Sequence, residues 1–179
     1  LFTASAPIYL DEKAYFVNQS GEKSAADLPV GRMDFAYHGQ NVFVKTTADA
    51  PSGKVLVMDM SEAKDGKAPA SRVLIPEVEG RNITGITALK DAVAVSYTQR
   101  AMPGLAIYNL EGELEREIPL DEPGSLSGVK MDQEGNLRFN WSTLIQPSVT
   151  KKVDLETGEV SVVKENKVAG FNPEDFKTE

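Results

Sequence analysis

The apolar positions of this chain fall in short runs separated by turn residues. Val42-Phe43-Val44-Lys45-Thr46-Thr47 and Val55-Leu56-Val57-Met58-Asp59-Met60 are rich in β-branched residues and bounded by Gly, Asn, Pro and Ser. Val93-Ala94-Val95-Ser96-Tyr97, Leu105-Ala106-Ile107-Tyr108 and Val160-Ser161-Val162-Val163 have the same character, which is the signature of strands. Apolar residues at helical spacing never run through eleven positions without a Gly or Pro. The best helical fragment, Ser61 to Lys67, is polar and contains Gly66; it reads as a loop with one turn. An antiparallel, nearly all-β chain with short connections is predicted.

The runs repeat. Met33-Asp34-Phe35-Ala36-Tyr37 precedes the strands at Val42 and Val55 and the strand Arg72-Val73-Leu74-Ile75. Ile83 to Leu89 precedes strands at Val93 and Leu105 and the segment Leu114 to Ile118. Leu126 to Met131 precedes strands at Leu137 and Val149 and then Val160 to Val163. The polar turn before each fourth strand starts at Asp59, Asn109 and Asp154, a recurrence of about 50 and then about 45 residues, within the ~40–50 typical of propeller blades. Four strands with a tight turn before the outermost one form such a blade. The predicted partition is a partial blade over 1–28, with Ala14 to Val17 as its third strand, then blades over 29–79, 80–121 and 122–168. Three blades and a part fall short of the ~4–8 that close a ring, so the chain reads as a fragment of a propeller.

Composition narrows the chemistry. The 179 residues include no cysteine and one histidine, which excludes disulfides, thiolate metal sites, a cysteine nucleophile and two-histidine zinc motifs. Nineteen Lys and Arg against 27 Asp and Glu leave a net charge of −8. That balance weighs against nucleic acid and anionic membranes as partners, and no apolar run approaches the ~20 residues of a membrane span. The chain starts at Leu1 without a signal-peptide pattern; no compartment is specified, cytoplasm and periplasm both remaining open.

Catalytic constellations fail one by one. Gly124-Ser125-Leu126-Ser127-Gly128 has leucine where a nucleophile elbow needs serine, and it reads as the start of an inner strand. His38, in Tyr37-His38-Gly39-Gln40-Asn41, reads as an exposed turn histidine. Glu111, Glu113, Glu115 and Glu117 alternate as a solvated face that keeps an edge from pairing. Asp49, Asp59 and Asp154 head turns, where a carboxylate accepts nearby backbone N–H groups. Neither a Gly-x-Gly-x-x-Gly nor a P-loop lysine occurs, and no cofactor is expected.

Several segments resemble the prolyl oligopeptidase family. They are Thr46 to Val55, Val73-Leu74-Ile75-Pro76-Glu77, Val95-Ser96-Tyr97, Phe139 to Ser148, and Val168 to Phe176, in order from about Leu28 onward. The resemblance implies a seven-bladed propeller capping an α/β-hydrolase domain that cleaves short peptides after proline. This chain would be roughly the second half of that cap, with 169–179 as the exit toward a peptidase domain holding the Ser, Asp and His. Its implied partners are that domain and short proline-containing peptides. The second-to-third strand loops would then face the peptidase: Ser5 to Tyr9, Thr47 to Ser52, Thr98 to Gly104 and Thr143 to Ser148. Candidate facing residues are Ser5, Ala6, Pro7, Asp49, Ala50, Pro51, Gln99, Arg100, Met102, Leu144 and Gln146. Arg100 is the basic residue among these loops, suited to a substrate carboxylate or an interdomain acid, or simply a surface arginine. Family members often carry Arg and Cys in the loop matching Ser5 to Ile8; this chain has neither. Trp141 reads as packing between the last two blades, and the small polar residues Thr84, Gly85, Thr87, Ser127 and Gly128 as channel wall. A non-catalytic binding or scaffold module is the competing reading.

Overall fold

A computed structural model describes residues 2–5, 13–17, 21, 23–26, 28–29, 31–64, 67–118, 120 and 123–166. Fifteen strands account for the regular structure among them. The first three are β1 (Phe2–Ser5), β2 (Lys13–Val17) and β3 (Lys23–Ala25), paired in the order β1-β2-β3. Three four-stranded antiparallel meanders follow, each in sequence order. The first comprises β4 (Met33–His38), β5 (Asn41–Thr46), β6 (Lys54–Asp59) and β7 (Arg72–Ile75). The second comprises β8 (Arg81–Ala88), β9 (Ala92–Gln99), β10 (Met102–Asn109) and β11 (Leu114–Ile118). The third comprises β12 (Ser125–Met131), β13 (Leu137–Ser142), β14 (Val149–Val153) and β15 (Val160–Glu165). These are propeller blades. A 3-10 turn spans Met60–Glu62, capped by the Asp59 carboxylate; Asp65 and Gly66 lie outside the described residues.

The middle strands read as unbroken apolar runs because both of their faces are buried. Alternation along β5 and β6 sends Phe43, Val55 and Val57 into the core shared with the second sheet. Val44, Leu56 and Met58 enter a separate core on the opposite side, with Met33 and Leu28. The second sheet divides likewise: Val93, Val95, Tyr97 and Ala106 face the first blade, and Ala94, Leu105 and Ile107 face the third. Trp141, 2% exposed, packs in that second seam with Phe139, Leu137 and Val149. Each fully buried side chain of this size contributes about 1.5–3 kcal/mol, so the seams carry much of the stability.

Polar ties complete the seams. Lys45, nearly buried, pairs with Asp34 at 2.5 Å and donates to the Thr84 carbonyl at 3.4 Å, joining β5 to β8. Thr87 Oγ1 donates to the Val129 carbonyl at 3.0 Å, joining β8 to β12. On the outer strands, Arg72 Nη2 donates to the Leu110 carbonyl of the next blade at 2.5 Å. Arg116 Nη2 does the same to the Glu156 carbonyl at 3.0 Å. Each acceptor lies in the turn before a fourth strand, beside a glycine of positive φ, Gly112 at +86° and Gly158 at +78°. A Cβ on Gly112 would lie 2.0 Å from the Leu74 carbonyl oxygen, and one on Gly158 2.0 Å from Arg116 Nη1. Only glycine satisfies both the dihedral and the space.

Three local expectations change. The loop predicted over Thr98 to Gly104 shrinks to Arg100–Ala101, because β9 and β10 pair through Gln99↔Met102. His38 is the last residue of β4, paired with Asn41 and half-buried, since the turn itself falls on Gly39 and Gln40. Glu117 is an ion-pair partner of Arg81, which sets it apart from a purely solvated acidic face.

Candidate functional site

In a four-stranded meander, successive strands run in opposite directions. The second-to-third connections and the links between sheets therefore emerge at one end of the blades. Here these are 47–53, 100–101 and 143–148, with the link 76–80 and, of the next link, the described residues 120, 123 and 124. The first is held to its neighbours: Ile83 N–H donates to the Ser52 carbonyl at 2.8 Å, and Ser52 N–H to Glu77 Oε1 at 2.5 Å.

Asp49, Ala50 and Pro51 lie in the 47–53 connection. Asp49 is exposed at φ 52°, and Ala50 is buried. Gly53 N–H closes the loop on the Ala50 carbonyl at 2.7 Å, leaving Pro51 exposed. In 143–148, Thr143 Oγ1 accepts from the Ile145 and Gln146 N–H groups at 3.3 and 3.0 Å. That turn pushes Leu144 outward to 91% exposure. Ser5 ends β1; Ala6 and Pro7 lie outside the described residues.

The β9–β10 hairpin is the most elaborated connection. Its two-residue turn, Arg100–Ala101, has positive φ at both positions, 50° and 63°. Hairpin twist favours this geometry, yet the usual occupants are Asn and Gly. Gln99, Arg100 and Met102 line one hollow with Tyr97 and Pro103, of about 420 Å³. The structure thus brings together three of the predicted residues. Asp49 to Pro51 and Leu144 with Gln146 occupy the corresponding connections of the adjacent blades.

Behind this hollow lies a polar cluster that the sequence pattern did not reveal. Arg81, at the start of β8, stacks over the Tyr97 ring with 4.1 Å from guanidinium carbon to centroid. It donates to Glu117 Oε1 at 2.8 Å, Tyr108 Oη at 3.2 Å and Gln99 Oε1 at 3.5 Å, while its Nε is buried with no partner. Tyr97 Oη also donates to Glu117, at 3.2 Å. Burial acts against the Arg81 charge, and the Glu117 hydrogen bond with the two tyrosines outweighs it, so the guanidinium pKa rises. Burial pushes the Tyr97 phenol above its ordinary 10.0. The one sequence trace of it is Gly104, in register with Tyr97, where the absent side chain leaves room for the ring.

The single histidine sits at the end of β4, remote in sequence from any serine elbow, and Ser125 to Gly128 belong to β12. Asp59 and Asp154 spend their carboxylates on turn N–H groups of Ser61, and of Glu156 and Thr157. No group of three or more His, Cys, Asp or Glu among the described residues is placed to hold a metal ion. No helix among them is long and apolar enough to cross a membrane.

Known proteins share this plan. A dual function macrocyclase-peptidase of Amanita bisporigera is 23% identical over 145 residues, 79% of this chain and 19% of that protein. A prolyl endopeptidase of Dictyostelium discoideum is 30% identical over 83 residues, 46% of this chain and 11% of that protein. Among solved structures, a prolyl endopeptidase superposes with a TM-score of 0.81 at 17% identity, covering 97% of this chain and 25% of that one. The chain thus spans a fifth or less of the two relatives' lengths. The model of the prolyl oligopeptidase N-terminal beta-propeller domain matches residues 26–166. By that match, which takes in all three complete blades, the chain belongs to the prolyl oligopeptidase family, as a portion of its propeller without the catalytic domain.

Proposed function

We propose that this chain is the second half of a seven-bladed cap over a serine peptidase domain of the same polypeptide. The whole protein admits short peptides and cleaves them after proline. The proposed blades are 29–79, 80–121 and 122–168, preceded by a partial blade over 1–28 and followed by an exit stretch over 169–179. The observation that carries this reading is the common end of the blades, where the second-to-third connections emerge in a chain of this family.

On this reading Ser5, Ala6, Pro7, Asp49, Ala50, Pro51, Gln99, Arg100, Met102, Leu144 and Gln146 face the peptidase domain. Arg100 holds an acid there, on the substrate or on the facing domain. On this reading the cap limits the size of what is admitted, and the chemistry is supplied by the peptidase domain.

The test uses the full-length protein with a short chromogenic peptide ending in proline and with a large folded protein. Turnover of the first and not the second, with Arg100→Ala raising KM for the peptide, is expected. The 179-residue chain alone is expected to be inert. Equal cleavage of both substrates, or turnover by the isolated chain that a serine-directed inhibitor abolishes, would overturn the reading.

A further inference from the structure

The three blades are not built alike on the face that receives the next blade. The third strands can be aligned by their distance to the turn-heading residues Asp59, Asn109 and Asp154. Val55 and Val57 of β6 then correspond to Leu105 and Ile107 of β10, and to Thr150 and Lys152 of β14. The register places Phe43 beside Val57, Ala94 beside Ile107, and Arg138 beside Lys152. In the first two blades these residues are buried in the seam with the following sheet. In the third blade the same positions carry Arg138, Thr150 and Lys152, so two apolar layers are replaced by polar and cationic ones.

The outer-strand clasp disappears at the same place. Arg72 pairs in register with Val57 and Arg116 with Ile107, and both bond to the next blade's turn. The residue opposite Lys152 is Ser161, too short to reach across a seam. Around it the face is basic. Lys130, Arg138 and Lys164 border a trough of about 330 Å³ floored by Asn140 and Thr150. Arg138 is held by Asp132 at 2.5 Å. Among the described residues no ion pair reaches Lys130 or Lys164 (three are present in all, elsewhere or to Arg138). This concentration of positive charge stands on a chain of net charge −8.

From these substitutions we infer that the face of the β12–β15 blade carrying Arg138, Thr150 and Lys152 is an ionic seam. It takes an acidic face of the ring-closing blade of the same polypeptide. The two seams that join β4–β7, β8–β11 and β12–β15 are mainly apolar instead, tied by Lys45 in the first and clasped by Arg72 and Arg116. A fourth blade of the repeating type would set apolar side chains against Lys152 and against the Arg138–Asp132 pair, and burying charge without compensating partners is strongly disfavoured. An acidic face offers these cations partners, and a propeller ring supplies one facing blade. The inference rests on the proposed placing of 122–168 as the last blade of the ring and on these side chains, and stands apart from the proposed substrate.

Hydrogen exchange on the full-length protein tests it. From about 0.05 M to about 1 M NaCl the screening length falls to about 3 Å. Protection of the β12 and β15 amides is expected to fall about tenfold across that range, the scale of two or three partly exposed ion pairs. The amides of β6, whose Val55 to Met58 lie in apolar cores, are expected to stay unchanged. Lys130→Glu with Lys164→Glu should show the low protection at both salt concentrations, and Lys67→Glu, in an exposed loop, should behave as wild type. Should the double reversal fail to fold, the wild-type salt series and the milder Lys130→Gln with Lys164→Gln still decide. Protection in β12 and β15 that is constant or rises with salt would overturn the inference. So would a dimer in sedimentation velocity that dissociates with salt or with the charge changes, since the acidic face would then belong to a second copy.

Discussion

Gly104→Ala should unsettle the centre of the second blade, through a side chain on the neighbouring strand. A Cβ at Gly104 would fall 2.2 Å from Tyr97 Cζ, 2.4 Å from Cε2 and 2.6 Å from Oη, so the ring must leave. Its departure removes the Arg81 stack, worth about 0.5–2 kcal/mol, and the hydrogen bond to Glu117, worth about 0.5–1.5 kcal/mol. It also opens ring surface that is now 8% exposed. The combined loss is about 2–4 kcal/mol. In a Tyr97→Ala background the obstruction is gone, and alanine should be better than glycine in a strand by about 0.5–1 kcal/mol. The double-mutant cycle therefore predicts a coupling energy of about 3 kcal/mol. Urea denaturation of the four proteins, with hydrogen exchange on β8–β11 to localise the change, measures it. If Gly104→Ala costs the same with and without Tyr97, the reasoning fails.

Three further outcomes follow from the same geometry. Gly158→Ala should cost about 1–3 kcal/mol for its left-handed backbone alone and, by displacing Arg116, should be non-additive with Arg116→Ala in thermal denaturation. Replacing Arg100–Ala101 by Asn-Gly suits the positive φ of both positions and should stabilise the hairpin by about 1 kcal/mol, read as a raised Tm. The third concerns pH. The Thr157 and Glu156 N–H groups hold the Asp154 carboxyl below its ordinary 3.8, and the Ser61 hydroxyl and N–H do so for Asp59. A depressed folded pKa gives stability that is present above the unfolded value and lost as pH falls. The contribution should therefore be complete above about pH 4 and disappear below it, and Asp154→Asn should flatten that acid limb in a Tm-against-pH series. Tyr97 has the opposite sign: its pKa is raised, so its contribution is whole below 10.0 and lost as pH climbs past it.

Much of the fold was legible because propeller strands obey local rules. The β-branched runs at Val42, Val55 and Val93 are apolar at successive positions because each strand is covered on both faces. The blade period showed in Asp59, Asn109 and Asp154 because a tight turn needs a carboxylate or amide to accept its N–H groups. The lack of a Gly-x-Ser-x-Gly string and of cysteine is likewise legible, both being facts of the sequence itself. The hairpin at Arg100 was less so. Pro103 and Gly104 look like loop residues in isolation, yet Gly104 is a strand residue kept small by the Tyr97 ring across from it.

The tertiary structure alone decided who meets whom across strands and seams. Arg81, Tyr97, Tyr108 and Glu117 lie on four different strands, and only the pairing register puts their side chains on one face. Glu117 resembles Glu111, Glu113 and Glu115 in sequence, but it alone has been brought onto a guanidinium. The difference between the last blade and its predecessors was similarly hidden. Arg138, Thr150 and Lys152 are ordinary strand residues until the register sets them beside the positions of Phe43, Val55 and Val57. Alternation along a strand is a local property carried by the sequence; the face each side chain meets depends on register and on the neighbouring sheet, which only the assembled chain provides.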